Sequence, residues 1–161
     1  MHSRLMSFLD KRHLISDNQY GFREHHSMYV ALLNIIDQIS QGMDNQNFSI
    51  GIFLDLSKAF DTIYHSLLFK TLEIYVFWGN ELHWISGYLS DRSQCVSIGG
   101  LLSKKEAIFC GVPQGSVLGP LLFTLYINDL VNVSTILKLI MFADDTNVFA
   151  SHKMLINLFQ S

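Results

Sequence analysis

The stretch Leu139-Ile-Met-Phe-Ala-Asp-Asp-Thr-Asn-Val-Phe149 places two adjacent acids inside an otherwise apolar segment. Its flanks predict two strands, over 137–143 and 146–150, joined by a tight turn at Asp144-Asp145. Adjacent residues of a straight strand point to opposite faces of a sheet, whereas a turn can aim both acids toward one side. Aspartate is also common in turns for purely structural reasons, because its side chain bonds local backbone groups. The apolar flanks favour a functional acid pair over that simpler interpretation.

A third acid follows a second apolar segment, Ser49-Ile-Gly-Ile-Phe-Leu-Asp55. This segment is rich in β-branched and apolar residues, which predicts a buried strand over 48–56. A buried carboxylate without a partner is costly, and a divalent cation removes that cost. If the strand lies beside the hairpin, two or three carboxylates meet at one end of the sheet. Hard oxygen ligands of this kind suit Mg²⁺, and two such ions can hold both oxygens of a phosphoryl transfer.

The remaining pattern predicts an α+β fold with a sheet covered by helices on one face. Apolar spacing predicts a short helix around Leu5 and Leu9, and further helices over 27–43, 65–76, 81–89 and 116–131. A strand pair is expected at 94–98 and 107–110, joined through Gly99-Gly100. Cys95 and Cys110 fall in these strands and match no zinc-binding pattern, so both are expected to be core thiols.

The composition limits the kind of protein without deciding its partner. Apolar residues make up 49% of the 161 residues and charged residues 16%, which predicts a packed domain rather than a disordered chain. The longest apolar run is too short to span a bilayer and the start lacks a signal-peptide pattern, so an intracellular protein is expected, nuclear or cytoplasmic. The net charge of −3 is unusual for a nucleic-acid-binding chain. Either the partner is not a nucleic acid, or basic surfaces lie on parts of the protein outside this chain.

A second unusual segment is Cys110-Gly-Val-Pro-Gln-Gly-Ser-Val-Leu-Gly-Pro120, which contains both prolines and three of the ten glycines. Its composition predicts a stiff turn that leads into a helix and lets a ligand approach the backbone. Gln114 in such a turn can bond a base, a sugar or only the neighbouring loop.

Three segments together resemble successive motifs of reverse transcriptases. They are Phe53-Leu-Asp-Leu-Ser-Lys-Ala-Phe-Asp61, Gly111-Val-Pro-Gln-Gly-Ser-Val-Leu-Gly-Pro-Leu-Leu-Phe-Thr-Leu-Tyr-Ile-Asn-Asp-Leu130 and Phe142-Ala-Asp-Asp-Thr146. Their order and spacing are most similar to the non-LTR retrotransposon branch, of the jockey-like kind. Gln19-Tyr-Gly-Phe-Arg23 resembles an earlier fingers motif of the same family, and 84–96 resembles its connecting segment.

The resemblance implies a polymerase palm, a ferredoxin-like antiparallel sheet with helices on one face, together with part of the fingers. The whole chain, 1–161, would be a partial reverse transcriptase domain. Residues 1–47 would belong to the fingers, 48–150 to the palm, and 151–161 to the start of the following segment. The remaining fingers, the thumb and an endonuclease domain would lie outside this chain.

The resemblance also implies a metal site. Asp55, Asp144 and Asp145 would be the catalytic acids and would bind two Mg²⁺ ions, or Mn²⁺ in their place. Asp55 and Asp144 would be the principal ligands, Asp145 would be more peripheral, and the backbone carbonyl of Leu56 would complete one shell.

The implied reaction is attack of a DNA primer 3′-hydroxyl on the α-phosphate of a dNTP, directed by an RNA template. Phe60 would be a steric gate that leaves no room for a 2′-hydroxyl, while Gln114 and Gly115 would line the nucleotide pocket. Arg23 would contact template or phosphate, and no membrane partner is expected.

Some positions depart from the family pattern, all of them outside the metal ligands. Met28 stands where the family usually has Thr, and Tyr64 stands where it usually has an acid. These departures suggest a truncated, non-catalytic remnant of such an element, so the chain is expected to lack polymerase activity on its own. The alternative is a catalytic domain, which the complete set of acids supports.

Overall fold

The fold is described from a computed structural model of the chain, which covers residues 2–153. The last part of the predicted segment 151–161 therefore lies outside the described residues. The described residues form two compact units, which we treat separately. The sheet unit comprises the described parts of 1–57 and 127–161, and the helical unit comprises 58–126. This division does not test the predicted boundary between fingers and palm at 47/48, which stays a prediction.

Helices and strands follow one another in mixed order along the chain. In order they are α1 (His2–Lys11), α2 (Met28–Asp44), β1 (Phe48–Asp55), α3 (His65–Ile74), α4 (Asn80–Leu89), β2 (Ser93–Gln94), β3 (Ser97–Ile98), β4 (Leu101–Leu102), β5 (Glu106–Ala107), α5 (Gly119–Ile127), β6 (Lys138–Phe142) and β7 (Asp145–His152). Short 3₁₀ helices cover Ala59–Asp61 and Asn128–Val133. Helices combined with antiparallel sheets confirm the predicted α+β class. None of the helices within 2–153 has the length and apolar content needed to cross a membrane.

The sheet unit is built on three antiparallel strands in the order β1-β7-β6. β6 and β7 form the hairpin predicted from the apolar flanks of the acid pair. β1 pairs with β7 along its whole length, from Phe48 opposite His152 to Asp55 opposite Asp145. The central position of β7 brings β1 beside the hairpin, although the two are far apart in the chain.

Helix α2 packs on this sheet and confirms the prediction for 27–43. Ser27 caps the helix, since its Oγ accepts a hydrogen bond of 3.3 Å from the backbone N–H of Val30. The helix contacts all three strands. A buried cluster joins it to the sheet and consists of Tyr20, Ala31, Ile140 and Phe149.

The prediction that the strand over 48–56 is buried was wrong. Seven of the eight residues of β1 are exposed and the eighth is half-buried. Within the described residues β1 pairs on one side only, because it lies at the edge of the sheet. Most of its apolar side chains are therefore exposed to solvent, and Phe53 is 67% exposed.

The helical unit confirms the predicted helices α3 and α4, separated near Gly79. Each buries two leucine or isoleucine side chains spaced four residues apart, which places them on one helical face. Helix α5 starts with Gly119-Pro120 and is buried along most of its length. Pro120 is tolerated in the first turn because its missing N–H has no intrahelical partner there.

The strand pair predicted at 94–98 and 107–110 has a different pairing. β2 pairs with β5, while β3 and β4 form a separate hairpin that turns at Gly99-Gly100. All four strands are two residues long and exposed. Cys95 and Cys110 are exposed as well, so the prediction that they are core thiols was wrong. Strands this short bury no face, and the thiols beside them stay at the surface.

Candidate functional site

Two of the predicted acids lie directly opposite each other on adjacent strands of the sheet. Asp55, the last residue of β1, lies directly opposite Asp145, the first residue of β7. Side chains directly opposite in an antiparallel pair share one face and have Cβ atoms about 5 Å apart. Two carboxylates at this separation repel each other, and a cation between them would offset the repulsion. Asp55 therefore lies next to the acid hairpin, as the sequence predicted.

The third acid lies in the turn, one residue earlier than Asp145. The turn between β6 and β7 consists of Ala143 and Asp144, and Asp145 already belongs to β7. The prediction that both acids lie in the turn was thus wrong by one residue. Asp144 is half-buried, whereas Asp55 and Asp145 are exposed. Leu56, whose carbonyl was a predicted ligand, follows β1 directly and is exposed.

The acids provide a small set of hard oxygen donors. Within residues 2–153, no three His, Cys, Asp or Glu side chains come close enough to hold a metal ion by themselves. Each ion bound here would therefore have at most two of the three carboxylates as ligands, together with the Leu56 carbonyl, water and substrate oxygens. Mg²⁺ commonly binds in this way, through one or two carboxylates with retained waters and phosphate oxygens. The donor set fits such an ion, and the exposure of Asp55 and Asp145 leaves room for its other ligands.

The opposed acids also border a cleft of about 420 Å³ between α2 and the sheet. Its walls are mostly apolar side chains, among them Ala31 of α2 and Phe53 of β1. The two carboxylates therefore lie at the edge of an apolar cleft and remain exposed to water.

The Arg23 side chain bonds to residues of its own loop. Its guanidinium donates hydrogen bonds to the carbonyls of Ser16, at 2.7 Å, and Gln19, at 3.4 Å. It also lies 3.7 Å from the carboxylate of Asp17, and its side chain is only 11% exposed. The geometry gives Arg23 a role in bracing the loop, and contact with template or phosphate stays a prediction.

In the helical unit, Phe60 lies in the 3₁₀ helix Ala59–Asp61 and stacks on Phe123 of α5. The ring centroids are 4.5 Å apart and the planes are inclined by 26°. Stacking on a fully buried ring restricts the orientation of Phe60. A fixed aromatic plane is what a steric gate requires, because a ring that rotates freely would admit a bulkier sugar.

The glycine-rich turn is bound to the segment that contains Phe60. The backbone N–H of Gly111 donates to Ile63 at 2.8 Å, and that of Val112 donates to Phe60 at 2.8 Å. His65 Nε2 donates to the Gly111 carbonyl at 2.7 Å. Gly111 has φ +84°, and a Cβ there would lie 2.8 Å from the backbone of Asp61. Only glycine allows this approach without displacement.

The helical unit contains a cleft of about 700 Å³. Gln114 is one of its lining residues, and Gly115 is the next residue in the chain. Gln114 donates from Nε2 to Asp61 Oδ1 at 3.3 Å. Gly115 has open space around it. Lys58 and Arg92 line the same cleft. Sequence reasoning missed these two cations because neither belongs to a basic run, and only the tertiary structure brings them together.

Asp55 at the end of β1, the glycine-rich turn and the acid hairpin follow one another along the chain in the order of the motifs described above. A sequence model of the family "Reverse transcriptase (RNA-dependent DNA polymerase)" matches residues 1–158. The chain therefore belongs to the reverse transcriptase family.

Its relatives are enzymes of retrotransposons, as the jockey-like resemblance predicted. The RNA-directed DNA polymerase from mobile element jockey of Drosophila melanogaster is 30% identical, over 96% of this chain and 18% of the relative. The probable RNA-directed DNA polymerase from transposon X-element of the same species is 32% identical, over 90% of this chain and 16% of the relative. The chain thus spans less than a fifth of the length of these relatives.

Among solved structures, a Cas6-RT-Cas1–Cas2 complex contains a chain that is 26% identical to this one. The match covers 84% of this chain and 22% of the other, with a TM-score of 0.38.

Proposed function

We propose that this chain provides the metal-binding and nucleotide-binding core, palm with part of the fingers, of an RNA-directed DNA polymerase. The observation that carries the proposal is the register of β1 and β7, which sets Asp55 opposite Asp145. With Asp144 and the Leu56 carbonyl, these acids would hold two Mg²⁺ ions, or Mn²⁺. The bound ions would neutralise charge that develops on the dNTP phosphates during attack by a primer 3′-hydroxyl.

The chain's own contribution to the reaction is positioning. Strand pairing holds Asp55 and Asp145 at a fixed separation, so little reorganisation is needed when charge develops between them. Their exposure leaves space for substrate phosphates and for water. We propose that the hairpin with Asp144 closes one side of this site.

We propose that the incoming nucleotide is selected and held by the helical unit. Phe60, stacked on Phe123, would lie beneath the sugar and exclude a 2′-hydroxyl. Gln114 and Gly115 would lie along the nucleotide, and the cations Lys58 and Arg92 line the adjoining cleft. Charged donors of this kind bind phosphate oxygens strongly.

RNA template and DNA primer would be the macromolecular partners, inside the cell in nucleus or cytoplasm. The chain has 11 basic and 14 acidic residues, which makes it a poor phosphate-binding surface by itself. We propose that most template contacts come from protein outside these 161 residues, such as further fingers, a thumb and an endonuclease domain.

A primer-extension assay tests the proposal. The chain is incubated with an oligonucleotide-primed RNA, dNTPs and Mg²⁺, beside an Asp55→Asn variant that keeps the size of the side chain. If the unchanged chain makes DNA product, we expect none from the variant, because the variant loses one of the opposed carboxylates. Equal product from both would contradict the proposed site.

The alternative function is a chain that folds but does not polymerise on its own. The exposed apolar side chains of β1 and the low content of basic residues favour this alternative. Absence of product from the unchanged chain, with metal binding that still depends on Asp55, would support it.

A further inference from the structure

The turn that carries the acids is held by a buried side chain from a distant loop. Gln19 is fully buried. Its Oε1 accepts hydrogen bonds from the backbone N–H of Ala143, at 3.0 Å, and of Gly21, at 2.8 Å. Its Nε2 donates to the carbonyl of Ala143 at 3.3 Å. One side chain therefore bonds both backbone polar groups of the residue that precedes Asp144.

Ala143 needs such support because its backbone is in the left-handed region, with φ +57°. This region is unfavourable for a residue with a Cβ, and it persists only where the surroundings enforce it. Ala143 is the first residue of the turn, so its dihedral angles set the direction in which Asp144 leaves β6. They also set how the chain enters β7 at Asp145.

The loop that carries Gln19 is itself fixed to the sheet unit. The N–H of Tyr20 donates to Met141 at 2.8 Å, and the N–H of Met141 donates to Asn18 at 2.8 Å. Asn128 accepts a hydrogen bond from the N–H of Ser16 at 2.8 Å. Gln19 is thus a rigid support for Ala143, because its own backbone is tied to β6 on both sides.

Gly21 makes a second close approach to the same turn. A Cβ at Gly21 would overlap the backbone nitrogen of Ala143. The loop therefore contacts Ala143 in two ways, through the Gln19 amide and through the bare Gly21 backbone. A loop that only needed to cover the sheet would not require both at the residue beside the acids.

We propose that Gln19 is a positioning residue for the acid pair. By bonding both backbone groups of Ala143, it holds the left-handed turn and so orients Asp144 and Asp145 relative to Asp55. This inference rests on the proposed metal-binding function of these acids. Gln19 does not touch the metal ligands, and it acts through the backbone of Ala143.

The test compares Gln19→Met with a matched control, Asn128→Leu. Methionine has nearly the length of glutamine and is well tolerated in cores, but it cannot replace these hydrogen bonds. Asn128 also makes two side-chain hydrogen bonds to the same loop, to Ser16 and Leu14, both away from Ala143. Both variants therefore remove side-chain hydrogen bonds that hold the same loop, and only Gln19→Met removes those to Ala143.

Two measurements are made on the full chain. The first is amide hydrogen exchange at residues 143–145 without metal, followed by NMR. We expect it to be about ten-fold faster in Gln19→Met, as the loss of these bonds implies, and close to unchanged in Asn128→Leu. The second is the affinity for Mn²⁺ alone, measured by electron paramagnetic resonance. We expect it to fall about ten-fold in Gln19→Met, as for supporting residues of metal sites, and less than about two-fold in the control.

The outcomes separate this inference from the proposed function. Unchanged exchange at 143–145 in Gln19→Met would overturn the inference, whatever the metal does. Faster exchange with undiminished Mn²⁺ affinity, or equal losses of affinity in both variants, would leave Gln19 a merely structural residue and overturn it too. If the unchanged chain binds Mn²⁺ no better than Asp55→Asn does, the proposed metal site fails instead. Hydrogen exchange then still decides whether Gln19 holds the turn.

Discussion

Two carboxylates that face each other across paired strands repel when no cation lies between them. Asp55 and Asp145 are in this arrangement, and both are exposed, so water screens part of the repulsion. We therefore expect the arrangement to lower the stability of the metal-free protein slightly and to favour a cation between the two acids. Residues that lower the stability of a protein but raise its affinity for a ligand are expected at functional sites.

Replacing Asp145 with Asn should therefore act on stability and on metal binding in opposite directions. We expect Asp145→Asn to stabilise the metal-free chain by about 0.2–0.5 kcal/mol in urea unfolding, since the repulsion is removed. The same variant should weaken Mn²⁺ binding. Asp37→Asn, an exposed change on α2, is the control and should change neither quantity. A loss of stability in Asp145→Asn would show that the pair does not repel.

Strand β1 is the element whose surroundings differ most from what its sequence predicts. It is an edge strand of eight residues, without Lys, Arg or Pro, and its apolar side chains are exposed. An exposed apolar edge presents unpaired backbone groups and is a site for pairing with another chain. The element that binds the metal in our proposal is therefore also one where we expect a risk of aggregation.

A charge on this edge should reduce association. Ile52 lies in the middle of β1 and is 52% exposed. We expect Ile52→Lys to lower light scattering of the concentrated chain, because lysine at an edge disfavours strand pairing. Ile74→Lys at the exposed end of α3 makes the same change of charge away from any strand. An equal reduction in both variants would assign the effect to net charge rather than to the edge.

Considered as a whole, the molecule combines the acids of our proposed metal site with a slightly acidic overall charge of −3. Its 11 basic and 14 acidic residues offer few partners for phosphates, and Lys58 and Arg92 line a cleft rather than an extended groove. Nucleic-acid affinity depends mainly on how many phosphates are neutralised. In our proposal the chain therefore coordinates a triphosphate locally, and we expect it to hold a duplex only weakly.

Binding of a primed RNA should accordingly be weak. We expect a dissociation constant above about 10 µM at physiological salt, with a shallow salt dependence, in fluorescence anisotropy. Binding in the nanomolar range with a steep salt dependence would contradict our proposal that most template contacts lie outside these 161 residues. A negatively charged polymer without bases, such as polyphosphate, shows whether any binding is specific to nucleic acid.

Local sequence patterns were sufficient to predict which segments form helices or strands and which acids are candidates for the site. Ser27 and the apolar spacing after it predicted α2, and the flanks of the acid pair predicted the β6–β7 hairpin. The motifs around Asp55 and Gln114 predicted the family. These features depend on neighbours within a few residues, so they can be recognised in the sequence.

Tertiary structure alone decided the features that join distant parts of the chain. The register that sets Asp55 opposite Asp145, the turn at Ala143 rather than one residue later, and the support from Gln19 all involve such pairs. Burial was decided in the same way, since an apolar strand is buried only where another element covers it. Pairing and covering depend on residues far apart in the chain: Asp145 is 90 positions from Asp55, and Ala143 is 124 positions from Gln19. Local spacing carries no information about them.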